Sequence, residues 1–165
     1  MCFVLYIASD ASIPVIPFDE NAPRLNTQPL TEHDSPVRGA FSASNVKFLG
    51  SSNYCGCGYR HLSFQGGEWP EEYLIGNDPK FGCGTQDDHE CLHRFLLDLL
   101  NSRDKIELYG CWDGDFKHPP AKHETISVDD IIAKEFFLRE RCHYTVVSKT
   151  SAQNRSSNQP ANRSE

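Results

Sequence analysis

Val46-Lys47-Phe48-Leu49-Gly50-Ser51-Ser52-Asn53-Tyr54-Cys55-Gly56-Cys57-Gly58-Tyr59 is the stretch on which the reading of this chain turns. Val46–Leu49 has the look of a short strand that stops at Gly50 and spills into a polar turn. The turn delivers two thiols, Cys55 and Cys57, separated and followed by glycines. Glycine permits positive φ and close backbone approach, so this is a loop built to aim side chains. A sulfur pair presented in this way suits a metal ion or a redox reaction.

The next two elements downstream are the clearest in the chain. After Gly84, Thr85 followed by Asp88 makes a capping pair, and Asp87, Asp88 and Glu90 suit the positive end of a helix. Leu92, Phe95, Leu96, Leu99 and Leu100 then follow the spacing of one buried helical stripe, which Asn101-Ser102 ends. Lys105–Cys111 alternates, with Ile106 and Leu108 on one face, and reads as a strand. Strand, helix and strand from Val46 to Cys111 are long enough for a βαβ unit, in which the strands run parallel through a right-handed crossover. The loop with Cys55 and Cys57, the helix entry at Cys83-Gly84 and the strand end Cys111-Trp112-Asp113 then share one sheet edge. Open α/β sheets keep their ligands at that edge.

Cys55, Cys57, Cys83 and Cys111 are therefore the expected ligands of a zinc site, with Asp113 as a spare. His61, His89 or His93 could replace a sulfur. Four sulfurs would close a structural site, whereas three would leave a position open. The spacing differs from that of paired C-x₂-C zinc knuckles. A thiol-redox pair at Cys55/Cys57 uses the same loop, with Cys83 near a helix N-terminus that favours its thiolate. Cysteines that merely fill the core are the third reading, and Cys91 and Cys142 are assigned to it outright.

Cys2–Ala8 is wholly apolar, as a strand covered on both faces would be, and is placed centrally in the sheet. Residues 13–44 form a proline-rich arm, with prolines at 14, 17, 23, 29 and 36, in which Arg24–Leu30 is at most an edge strand. Residues 59–84 are glycine-rich and aromatic, carrying Phe64, Trp69, Tyr73 and Phe81, and read either as a lid or as a hairpin. Trp112–Glu124 is a loop, Ser127 caps a short helix over Val128–Ala133, and Phe136–Val147 is a final strand with an edge position or one wet side. Residues 148–165 form a disordered polar tail.

The 165 residues suffice for one domain with a core of its own, and 38% are hydrophobic. A formal net charge of −7, with Lys and Arg scattered, argues against a nucleic-acid partner. No run is long enough to span a bilayer, so no membrane partner is expected. The apolar start lacks a charged leader, so the chain reads as cytoplasmic, and the sequons at Asn154 and Asn162 carry no weight. Seven cysteines without an export signal argue against a disulfide framework.

Two short patterns remain. His89-Glu90-Cys91-Leu92-His93 satisfies the metalloprotease helix pattern letter for letter, but lies in the first turns of a short helix with no third ligand evident. It is read as two solvated histidines. Met1-Cys2 resembles the opening of class II glutamine amidotransferases, in which loss of the methionine exposes the cysteine. The family's usual glycine is Phe3 here and the chain is short for its four-layer fold, so Cys2 is read as a strand residue.

The expected fold is α/β, with α+β as the alternative. It is one domain over residues 1–147 with a four- or five-stranded mixed sheet, one main helix and one short helix. The expected function is that of a small cytoplasmic zinc-site protein of unknown activity. The competing classes are a thiol-redox protein and a non-enzymatic interaction module with a protein partner. A module should expose an apolar patch around Trp69 or Trp112.

Overall fold

In the computed structural model, which describes residues 2–69 and 84–149, the apolar opening run forms strand β1 (Phe3–Ser9), buried along its whole length. It is central, as its lack of polar alternation requires. Phe3, Leu5 and Ile7 face one core with Leu92, Leu96 and Leu99 of the helix. Val4, Tyr6 and Ala8 face a second core with Val37, Ala43, Val46, Tyr109 and Cys111.

The remaining strands are β2 (Asn26–Pro29), β3 (Asn45–Gly50), β4 (His61–Leu62), β5 (Ile106–Trp112), β6 (Lys122–Ser127), β7 (Leu138–Arg139) and β8 (Cys142–Val147). The principal sheet is mixed, six-stranded, and ordered β2-β3-β1-β5-β8-β6, while β4 and β7 form a small parallel pair. The α/β class stands, with six strands in place of the four or five expected. The helix, α1 (Gln86–Leu100), is capped as its sequence indicates, with the Asp88 N–H donating to Thr85 Oγ1 at 3.1 Å. The expected edge strand is β2, at one margin of the sheet.

The pairing direction departs from expectation in one decisive respect. Strands β3 and β5 are not adjacent. Each pairs antiparallel with β1, which lies between them, as in Leu5 opposite Leu49 and Leu5 opposite Gly110. Both still end at the same edge, and β1 begins there.

Three further differences lie near the C-terminal part. The loop expected over Trp112–Glu124 holds for residues 113–121, but its end belongs to an unforeseen edge strand, β6, whose Lys122, His123 and Thr125 are exposed and offer no apolar face to read. The single strand expected over Phe136–Val147 is broken between β7 and β8, where Arg141 takes φ of 58°. Strand β8 is interior, between β5 and β6, which corrects the edge position inferred from its charges. The short helix is a 3-10 turn, Val128–Ile132, closed by a capping box between Ser127 and Asp130. The lid or hairpin expected at 59–84 falls mostly outside the described residues, as do Cys83 and the tail from residue 150.

Candidate metal centre

The cysteine loop is built on the buried Ser51, the first residue after β3. Its N–H donates to the Cys55 carbonyl at 2.9 Å, and its hydroxyl donates to the same oxygen at 2.6 Å. The hydroxyl oxygen in turn accepts from Gly58 N–H at 3.0 Å. Asn26 reaches across from β2 and donates to the Ser51 carbonyl at 3.1 Å. One side chain thus folds the loop back on itself, and backbone atoms of Cys55 and Gly58 fix where the thiols project.

Gly56 lies flat against β1. A Cβ there would come within 3.0 Å of the Phe3 carbonyl oxygen and 3.1 Å of Leu5 N, so glycine is what permits the approach. The neighbouring Cys57 sulfur accepts from Phe3 N–H at 3.3 Å, and its thiol donates to the Phe3 carbonyl at 3.8 Å. The Cys57 N–H points to Cys55 Sγ at 3.4 Å. Cys2 precedes β1, and its carbonyl accepts from Asp113 N–H at 2.9 Å.

The sulfurs of Cys2, Cys55 and Cys57 consequently lie within 4.8 Å of one another. Tetrahedral zinc with Zn–S bonds of about 2.3 Å places its sulfurs about 3.8 Å apart. Small side-chain rotations would therefore bring these three onto one ion. Cys2 is exposed and the other two are half-buried, so the cluster opens at the sheet edge.

The thiol chemistry separates the possible uses. Burial pushes the Cys57 thiol up to about 12, helped by its contact with Cys55 and by the neighbouring Cys55 and Cys2, and only partly offset by the Phe3 amide. Such a thiol is a poor nucleophile without a partner that supplies positive charge.

The expected ligands divide accordingly. Cys55 and Cys57 come together. Cys111 does not join them, because its position opposite Val4 turns it to the other face of the sheet, where it is fully buried beside Tyr109 and Val4. Burial and nearby acidic groups (Asp115, Glu140 and Asp113) push its thiol up to about 12. Asp113 stands near Cys2 through its backbone, but its carboxylate lies 3.6 Å from His33.

Cys2, read from the sequence only as a strand residue, is the member of the cluster that the sequence reading missed. Antiparallel pairing of β1 with β3 puts the start of β1 at the edge where β3 ends, and so brings Cys2 beside the loop. Its position just ahead of a central strand was the available signal, and only the strand direction could interpret it. The described residues form one principal sheet, without the four layers that the amidotransferase resemblance implies.

The histidines take other roles. His61 stacks on the Phe3 ring at 4.3 Å, and its Nδ1 lies 2.8 Å from the Tyr59 carbonyl. His89 is fully buried rather than solvated, with Nδ1 at 2.9 Å from the Ile131 carbonyl and Nε2 accepting from Arg60 N–H at 2.9 Å. His93 meets Asp129 at 3.1 Å. Both His89 nitrogens are committed to backbone, so the metalloprotease pattern lacks one of the two imidazoles it needs.

No family model, curated protein or solved structure matches the chain.

Proposed function

We propose that this chain binds a thiophilic divalent ion, zinc, through Cys2, Cys55 and Cys57. The remaining coordination position is open to water or to a donor atom of a ligand. The observation that carries this reading is the convergence of three sulfurs within 4.8 Å of one another at the open edge of the sheet. An ion with affinity for thiolate supplies positive charge there and lowers the cost of deprotonating the thiols. Zinc in particular fits the tetrahedral spacing and a reducing, cytoplasmic setting, in which cysteines remain free.

An interaction module is less well supported. Trp69 and Trp112 both pack against the core instead of forming an exposed patch, and the Trp69 indole donates to the Glu140 carbonyl at 2.9 Å. Among the described residues no helix is long and apolar enough to cross a membrane.

Elemental analysis of protein purified without an affinity metal tests the proposal, paired with counts of reactive thiols before and after chelation. One zinc per chain, with three thiols unmasked by the chelator, is the expected result. A fourth unmasked thiol would add Cys83 to the ligand set. Metal-free protein that also fails to bind added zinc, with Cys2 and Cys55 freely reactive, would overturn the metal reading in favour of thiol redox.

A further inference from the structure

A group of carboxylate and imidazole side chains lies on the face of the sheet opposite the sulfurs. At its centre is Glu107 on β5, 2% exposed and among the few buried charges of the fold. Its carboxylate accepts from Ser42 N–H at 2.8 Å, from the Ser42 hydroxyl, and from Lys105 Nζ at 3.3 Å. The fourth donor is His143 Nε2 on β8, at 3.2 Å. With so many donors Glu107 stays ionised, and hydrogen bonding from Ser42, His143 and Lys105 outweighs burial to hold its carboxyl down to about 2.

A carboxylate fixed in this way also fixes the imidazole. His143 must carry its proton on Nε2 to donate, which leaves the Nδ1 lone pair free. His89, by contrast, uses both of its ring nitrogens. Nδ1 of His143 has no hydrogen-bond partner among the described residues. The neighbouring side chain is His123 on β6, its direct register partner across a parallel pair, so both project from the same face. The two ring centres are 5.0 Å apart. Two imidazoles on one ion, with metal–nitrogen bonds of about 2.0–2.1 Å and near-tetrahedral angles, bring their centres to about 5 Å. Phe41 packs 5.9 Å from the His143 ring and restricts its tilt.

We propose that His123 and His143 form a two-imidazole site for a divalent transition metal, with Glu107 as the carboxylate that orients His143. The donor set favours zinc, nickel or copper over magnesium or calcium. His123 is exposed on the edge strand, so the ion enters from solvent and keeps open positions. This site is independent of the cysteine cluster, because it shares no residue or sheet face with it.

The test is a Zn²⁺ titration of the full chain, followed by NMR of the imidazole ring resonances, which report nothing from the thiolates. The His123 and His143 signals should move together, and His123→Ala should abolish the movement at His143. Glu107→Gln should weaken the apparent affinity about 10- to 100-fold, as loss of an orienting carboxylate does. If that buried substitution prevents folding, the exposed His123→Ala variant still decides the matter. Ring signals that stay in place up to millimolar Zn²⁺ would overturn the proposal. So would a His143 response unchanged in His123→Ala.

Discussion

Asp88 in the first turn of α1 holds Ser52 of the cysteine loop by two hydrogen bonds, from its N–H and its hydroxyl, each 2.9 Å. The same carboxylate accepts from the Thr85 hydroxyl at 2.8 Å, so one buried side chain fastens the loop to the helix entry. Asp88→Ala should therefore lower stability by about 2–4 kcal/mol, since it removes several bonds to a buried charge. It should also raise the reactivity of Cys55. Denaturant unfolding and thiol labelling of the folded protein measure both effects. Unchanged labelling would mean that the loop holds itself.

Cys2 and Cys111 make opposite predictions. Cys2→Ser changes an exposed residue, so metal-free stability should move by no more than about 0.5 kcal/mol while zinc binding weakens. Cys111→Ala removes a fully buried sulfur and should cost on the order of 1–2 kcal/mol while zinc stoichiometry is retained. Loss of zinc in the Cys111 variant would place the ligands on the wrong face of the sheet.

Gly110 supports the Phe3 ring. A Cβ at position 110 would clash with Cζ and lie 3.0 Å from Cε2. Gly110→Ala should destabilise by about 1–3 kcal/mol through forced displacement of the ring. Because the Phe3 amide also donates to the Cys57 sulfur, zinc affinity should fall along with the melting temperature. A variant as stable as the parent would show that the ring moves aside freely.

The folded chain should weaken on mild acidification. Burial, followed by the Arg60 guanidinium, pulls His89 from 6.5 to about 4, against the smaller opposing effects of the Ile131 carbonyl and Asp88. The unfolded chain takes up a proton between these values that the folded chain refuses. The stabilisation is complete above pH 6.5 and is lost as the pH falls towards 4, about 3 kcal/mol in all. Urea midpoints measured from pH 7 down to pH 4 would trace it. A flat profile would mean that His89 titrates normally.

Local pattern was enough to read several elements of this fold. The stripe Leu92, Leu96, Leu99 and Leu100 is the buried face of α1, and Phe3–Ala8 without a polar residue is the middle of the sheet. Edge strand β6 escaped because Lys122–Thr125 has no buried side to alternate with. The break before β8 escaped because Arg141 at positive φ is not a residue that announces a turn. At the site, the loop glycines marked Cys55 and Cys57 correctly as presented thiols. Which other cysteine met them depended on the direction of β1, and direction is set by pairing between distant segments, which leaves no trace in either segment alone. The same pairing sends Cys111 to the opposite layer.

The place of β1 in the sheet also sets a timetable. During synthesis this strand, every side chain of which is destined for the interior, emerges with neither neighbour available. Strand β3 begins only at Asn45, and β5 only at Ile106. Until the latter has been made, one edge of an uncharged apolar segment remains unpaired, the condition under which chains associate with each other or with chaperones. The cysteine loop can meet Cys2 as soon as β3 docks, well before β5 exists, so an ion captured there would hold the nascent strand pair together while the rest of the sheet is completed.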